Sequence, residues 1–151
     1  MGWPAHGAYT VSAGGLRVDY RILGPLEVLR NGKPLDLGPH KQRALLALLL
    51  LHPGRVVATD RILEELWGDD AQGKEKSLWA YISRLRSVLE PDRTTTAPSE
   101  LLVTRDHGYL LQIAREEVDA ARFEDTVVRG RNLVLDDPER ASALLHEAIG
   151  M

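Results

Sequence analysis

Eight consecutive apolar residues, Ala44 to Leu51, constrain the fold of this chain more than any other feature. Gly38-Pro39 precedes the run and His52-Pro53-Gly54 follows it, a pattern that predicts a helix over about residues 39–51. A helix that is apolar on nearly every side has to be covered by other elements. The run is also far shorter than the roughly 20 residues that cross a bilayer. The sequence therefore predicts a soluble domain around one central helix, with no membrane partner.

Short segments that alternate apolar and polar residues precede the central helix. They cover residues 19–23, 26–30 and 33–37, and Asn31-Gly32 separates the last two. Asn-Gly between such segments is a strong hairpin signal, because both positions of the tight turn need a positive φ. An amino-terminal antiparallel sheet is therefore expected. Beyond the central helix, the pattern predicts a strand-like link at residues 56–58 and a second helix at residues 60–67.

A third helix is predicted over Lys74–Leu89, with one apolar stripe at the helical repeat. The stripe consists of Leu78, Ile82, Leu85 and Leu89. The opposite side is small or basic, and Glu75 is the only acidic residue before Glu90. A solvent-facing helix usually mixes acidic and basic residues in stabilising pairs. This acid-poor side is therefore a candidate nucleic-acid surface, although the net charge of the whole chain is −3.

Two strands follow the third helix, at residues 101–104 and 109–113. Gly108 in the turn between them is expected to supply the strained backbone position. Three helices followed directly by a β-hairpin describe a winged helix. The predicted fold class is α+β: a winged helix-turn-helix with an amino-terminal antiparallel sheet, three helices and a carboxyl-terminal β-hairpin wing, followed by a short all-α helical hairpin.

Both ends of the chain differ in composition from the middle. Residues 1–17 are rich in Gly, Ala and Ser without a periodic pattern and are expected to form a disordered leader. Residues 114–151 carry five basic against nine acidic residues and predict two short amphipathic helices, the unit of tetratricopeptide-like arrays. The winged helix is assigned to residues 18–113. An unsatisfied apolar face is expected on the carboxyl-terminal helices, at Phe123, Val127, Leu144, Leu145 and Ile149.

Several segments agree in order and spacing with a known family. They read ILGPLEV, NGKPLDLGPHKQRALLALLLLHPGRVV, DRILEELWGDD, SLWAYISRLRSVLEP and GYLL. Together they resemble the amino-terminal half of the SARP-type activators, the antibiotic regulatory proteins grouped with AfsR- and EmbR-like regulators. Those proteins carry an OmpR/PhoB-type winged helix, and residues 118–149 resemble the first helices of the bacterial transcriptional activation domain that follows it. The resemblance implies that this sequence carries only the beginning of that domain.

The resemblance implies sequence-specific binding of double-stranded DNA, with helix 74–89 in the major groove and a wing at residues 105–108 in the minor groove. Arg84 is implied to read a base, and Lys76, Tyr81, Ser83 and Arg86 to contact phosphates. Arg105 is implied to enter the minor groove. The full set of candidate DNA-binding residues is Lys76, Ser77, Ala80, Tyr81, Ser83, Arg84, Arg86, Ser87 and Arg105. The candidate RNA polymerase contacts are Trp67, Asp69 and Asp70.

Less specific interpretations remain open for several of these residues. Arg84 and Arg86 are alternatively solvated helix charges that pair with Glu90 or Asp92, and Asp106 alternatively neutralises Arg105. Trp79 either flanks the groove or packs beneath the loop.

The resemblance also implies tandem direct repeats in the promoter and a cytoplasmic location at the bacterial nucleoid. A homodimer, through the carboxyl-terminal helices or on DNA, is a further hypothesis. The alternative function is a winged-helix interaction module, or a truncated regulator without activating function. An enzyme is not expected, because the sequence has no phosphate loop or nucleophile elbow. The chain contains no cysteine and no metal-ligand spacing, so neither a metal nor another cofactor is predicted.

Overall fold

A computed structural model describes residues 18–94 and 96–151 of the chain, so the predicted leader at residues 1–17 lies outside the described residues. The elements in chain order are β1 (Val18–Arg21), β2 (Glu27–Arg30), β3 (Lys33–Pro34), α1 (His40–Leu50), β4 (Val56–Ala58), α2 (Thr59–Trp67), α3 (Glu75–Leu89), β5 (Leu102–Arg105), β6 (Gly108–Leu111), α4 (Asp119–Leu133) and α5 (Pro138–Ile149). The predicted mixed α+β class is confirmed. None of the described helices is both long and apolar enough to cross a membrane.

The chain divides into two compact units. The central unit comprises residues 34–114, and the split unit comprises the described residues up to 33 together with residues 115–151. The first boundary differs from the prediction, which assigned all of residues 18–113 to the winged helix. The second lies one residue from the predicted end of that domain.

The central helix of the prediction is α1, and it lies at the core of the central unit. Leu45, Leu46 and Leu49 are completely buried. Leu51 is 63% exposed because the helix ends one residue before it. At the other end of the helix, the Gln42 amide donates a hydrogen bond of 3.0 Å to the Leu37 carbonyl and so fixes the approach of the chain. The prediction of a buried helix is confirmed.

The wing is a three-stranded antiparallel sheet in the order β4-β6-β5. The link at residues 56–58 is its third strand, and Val57 pairs with Tyr109. In the wing turn, Asp106 has the positive φ, at 48°. The prediction that Gly108 supplies the strained position is therefore wrong. Gly108 is required for a different reason: a Cβ atom there would lie 2.2 Å from the Val57 carbonyl oxygen. The glycine allows β4 to approach β6.

The split unit joins the first strands of the chain to the last helices. Asn31 and Gly32 have φ values of 50° and 77°, which confirms the predicted tight turn at the end of β2. Helices α4 and α5 pack closely at Gly130, where an added Cβ would lie 2.9 Å from Leu145. The predicted apolar face is only partly covered, since Leu144 is buried whereas Ile149 is 82% exposed.

Asp119, the first residue of α4, connects that helix to β1. Its carboxylate accepts hydrogen bonds from the backbone N–H groups of Ile22 and Leu23, at 2.8 and 3.2 Å. One turn later, Arg122 pairs with Asp19 at 2.9 Å. These contacts explain why residues 18–33 belong with α4 and α5, since a buried carboxylate has to be satisfied by nearby donors.

Replacing Asp119 is expected to destabilise the split unit. Asp119→Ala leaves the N–H groups of Ile22 and Leu23 without their acceptor, and the expected loss in the free energy of unfolding is about 2–3 kcal/mol. Urea denaturation followed by circular dichroism measures this loss. The control is Asp136→Ala, which removes an exposed carboxylate and should change stability by less than about 0.5 kcal/mol. Equal effects of the two variants would contradict the assignment.

Candidate nucleic-acid interface

The inner side of α3 anchors the helix in the central unit. Leu78, Ile82, Leu85 and Leu89 are each at most 2% exposed, as their spacing predicted. Because all four lie on one stripe, the orientation of the helix about its own axis is fixed. The opposite side therefore faces solvent.

The outward side of α3 is small and basic. Its exposed residues are Lys76, Ala80, Ser83, Arg84 and Ser87, while Ser77 is half-buried. The Ser87 hydroxyl donates to the Ser83 carbonyl at 3.2 Å, so this donor is already used within the helix. Among the described residues, Arg84 forms no ion pair, and the alternative pairing with Glu90 or Asp92 is not observed.

Glu90 instead organises the loop that leads to the wing. Its carboxylate accepts hydrogen bonds from the backbone N–H groups of Glu100 and Leu101, at 2.8 and 3.3 Å, and from the Ser99 hydroxyl. A carboxylate that accepts several hydrogen bonds at once is well satisfied. Glu90 thus holds the loop immediately before β5 against the end of α3.

Arg86 is half-buried and turned toward the wing. Its Nε donates to the Leu102 carbonyl at 2.8 Å and its Nη2 to the Thr104 hydroxyl at 2.9 Å. Burial lowers the pKa of Arg86, nearby Arg93 acts in the same direction, and Tyr109 and Glu90 oppose the shift. Arg86 therefore differs from Arg84, whose side chain is exposed.

Tyr81, a predicted phosphate contact, stacks on Trp67. The two rings are nearly parallel, at 6°, with centroids 6.1 Å apart. Lys41 lies over the same indole, with Nζ 5.4 Å from its centre, and donates to the Leu66 carbonyl. This stack joins α1, α2 and α3, so Trp67 and Tyr81 are both half-buried.

The two other candidate polymerase contacts are freely accessible. Asp69 and Asp70 are exposed in a short 3₁₀ turn, Gly68–Asp70, immediately after α2.

Trp79 lies beside the wing, and its side chain is 60% exposed. Burial raises the pKa of the neighbouring Tyr109 hydroxyl, and Arg86 and Trp79 oppose this shift. The indole borders an open cleft of about 450 Å³ between the starts of α2 and α3 and the wing turn. Trp79 is therefore exposed beside the wing and does not pack beneath the loop.

Arg105 is the last residue of β5 and is exposed. It pairs across the hairpin with Gly108, next to the two-residue turn Asp106-His107. Neutralisation by Asp106 is not observed, since the described residues contain no ion pair of Arg105.

Residues 32–111 match the family model described as "Transcriptional regulatory protein, C terminal". This segment covers more than half of the chain. The chain belongs to this family of transcriptional regulators. The family segment includes α1, α2, α3 and the whole wing, and the OmpR/PhoB-type resemblance stated above is confirmed.

Other members of the family are similar over more of the chain. The regulatory protein AfsR of Streptomyces coelicolor is 35% identical over 81% of this chain and 12% of its own length. The transcriptional regulatory protein EmbR of Mycobacterium tuberculosis is 34% identical over 71% of this chain and 27% of its own. A solved structure of EmbR in complex with a low-affinity phosphopeptide superposes with a TM-score of 0.80 and 32% identity over 89% of this chain and 35% of that one. This chain thus spans about a third or less of these regulators.

Several contacts of this family member had no signal in its sequence. The bonds of Arg86 to β5, those of Glu90 to the loop, and the Trp67–Tyr81 stack depend on the tertiary fold. The described residues hold no cluster of side chains that could bind a metal ion.

Proposed function

We propose that this chain binds double-stranded DNA sequence-specifically in transcriptional regulation, with α3 in the major groove. The observation that carries the proposal is the outward side of α3, which is slim, exposed and free of acidic residues after Glu75. A helix can reach base edges only if its outward side chains fit the groove and tolerate phosphate oxygens. Membership of the regulator family supports the same conclusion.

In this proposal, different side chains of the central unit have different roles in DNA binding. The exposed guanidinium of Arg84 reads a base, because its planar fork can donate two parallel hydrogen bonds to guanine O6 and N7. Lys76 and Ser83 contact phosphates and set the register. Arg105 enters the minor groove from the tip of the wing. Tyr81 contacts a phosphate from its place beside Trp67, and Ser77, Ala80 and Ser87 allow close approach.

A selection of bound sequences from random duplex DNA, followed by mobility-shift titration, tests the proposal. Arg84→Ala is expected to weaken binding to the selected site by about 1–3 kcal/mol and to abolish the preference at one base position. The matched control is Arg129→Ala, which removes an exposed arginine from α4. An unchanged footprint and base preference for Arg84→Ala would contradict the assignment of the reading residue.

The same titration distinguishes the alternative function. Because each phosphate contact releases counterions, DNA binding should weaken steeply as the salt concentration rises. Failure to retard mixed-sequence DNA even at low salt would favour the interaction module. The exposed apolar residues of the split unit, Leu135 and Ile149 among them, are then the surface to examine.

Finer aspects of the proposal follow from the resemblance to the SARP-type activators. The chain binds tandem direct repeats at the bacterial nucleoid, where neighbouring copies stand head to tail. Asp69 and Asp70 contact RNA polymerase, whereas Trp67 supports their turn from within. A dimer through the carboxyl-terminal helices is the competing arrangement. The head-to-tail arrangement and the dimer differ in the number of copies bound per selected site and in the spacing of the repeats within that site. Measuring both quantities distinguishes the two arrangements.

A further inference from the structure

The carboxyl-terminal end of α3 holds β5, an edge strand of the wing. Glu90 accepts hydrogen bonds from the loop just before β5, and Arg86, one helical turn earlier, donates to β5 itself. Arg86 and Glu90 are four residues apart and thus lie on the same side of the helix. The wing is therefore attached to α3, the proposed recognition helix, by Arg86 of that helix and by Glu90, the residue that follows it.

We propose that Arg86 is a positioning residue, which sets the wing relative to the recognition helix and does not contact a phosphate. This inference rests on the proposed DNA binding. Arg86 uses two nitrogens of its rigid fork on two different groups of one strand, a carbonyl and a hydroxyl. To reach a phosphate with those nitrogens it would have to give up both bonds and leave the Leu102 carbonyl unsatisfied, which is costly for a part-buried group.

The position of the second bond explains why the attachment matters for recognition. Thr104 directly precedes Arg105, the residue proposed to enter the minor groove. Successive side chains of a strand point to opposite faces, so a bond to Thr104 on one face leaves Arg105 on the other. Arg86 thereby fixes the strand at the residue next to the wing tip. α3 can bind the major groove while the wing binds the minor groove only if the distance between α3 and the wing is held constant.

The test compares Arg86→Ala, Arg86→Lys and Thr104→Val on the DNA site selected by the unchanged protein. A positioning role predicts that Arg86→Ala weakens binding about tenfold without changing the slope of affinity against salt, because no phosphate contact is lost. Arg86→Lys should bind as poorly as Arg86→Ala, since a single ammonium cannot replace the two bonds of the fork. Hydroxyl-radical cleavage, which attacks the sugars along the minor groove, should lose its protection at the wing, whereas guanine N7 in the major groove should stay protected from methylation by dimethyl sulfate.

Thr104→Val provides a variant in which folding is not at issue. It keeps the charge of Arg86 and replaces one exposed hydroxyl by a methyl group of similar shape. The expected effect is a loss of about threefold in affinity, and the double variant with Arg86→Ala should bind no worse than Arg86→Ala alone. Lys76→Ala, a proposed phosphate contact, is the matched control, and it should lower the salt slope by about one.

Three results would overturn the inference while leaving DNA binding intact. They are a fall of about one in the salt slope for Arg86→Ala, recovery of affinity in Arg86→Lys, or effects of Arg86→Ala and Thr104→Val that simply multiply. If the unchanged protein binds no DNA, the proposed function fails, and the positioning role fails with it. The binding of the unchanged protein therefore separates the two failures.

Discussion

Gly108→Ala is expected to lower the free energy of unfolding of the central unit by about 3 kcal/mol. The added Cβ would lie 2.2 Å from the Val57 carbonyl oxygen and 2.9 Å from a methyl carbon of Val56. The Val57 carbonyl oxygen is a backbone atom and cannot move aside by a side-chain rotation. To make room for the Cβ, β4 therefore has to separate from β6. Because β6 also pairs with β5, the shift would spread to the strand that carries Arg105. Thermal unfolding followed by circular dichroism measures the change.

Gly24→Ala is the control for this prediction. A Cβ at Gly24 meets nothing within 4 Å, and the residue does not require a left-handed backbone. Its effect should stay below about 0.5 kcal/mol. If Gly108→Ala were as stable as Gly24→Ala, the close approach of β4 to β6 would be refuted.

Leu85→Ala is expected to destabilise the central unit by about 3–4 kcal/mol. Leu85 is completely buried on the inner side of α3, and its truncation leaves a cavity that the packed neighbours cannot fill. The loss should appear both in urea denaturation and in DNA binding at temperatures near the midpoint of unfolding. At low temperature, affinity should recover, because Leu85 itself does not face the groove.

The matched control lies two residues along the same helix. Ser87→Ala removes an exposed hydroxyl whose bond is made to the preceding turn, and alanine favours the helix. Its stability should therefore equal or slightly exceed that of the unchanged protein. A cost for Ser87→Ala as large as that for Leu85→Ala would mean that the buried and exposed sides of α3 have been assigned wrongly.

The sequence predicted the central unit well because its signals are local. The stripe Leu78, Ile82, Leu85 and Leu89 repeats at the helical period, and all four residues are buried as expected. The Asn31-Gly32 turn, in the split unit, was predictable for the same reason, since two adjacent residues determine its backbone. Patterns within a dozen residues suffice for such elements.

Tertiary contacts account for what sequence reasoning could not predict. Arg84 and Arg86 have the same side chain, yet one is exposed and the other bonds to β5, whose strand begins 16 residues further on. Nothing in the helical pattern distinguishes a guanidinium that faces solvent from one that reaches a neighbouring strand. Gly108 was recognised as a turn signal, but its role depends on Val57, in a strand about 50 residues away along the chain.

The division of the chain also affects the order of folding. In the split unit, Ile22 meets Asp119 across 97 residues and Asp19 meets Arg122 across 103. Joining chain ends so far apart costs on the order of 4 kcal/mol in loop-closure entropy before any of these bonds can form. The central unit is continuous in sequence and bears a smaller cost, because its pairing of Val57 with Tyr109 spans 52 residues and halving a loop saves about 0.6 kcal/mol. Residues 34–114 can therefore fold while the two halves of the split unit are still apart. Once folded, they reduce the length of unfolded chain between the two halves and so lower the entropy cost of bringing the halves together.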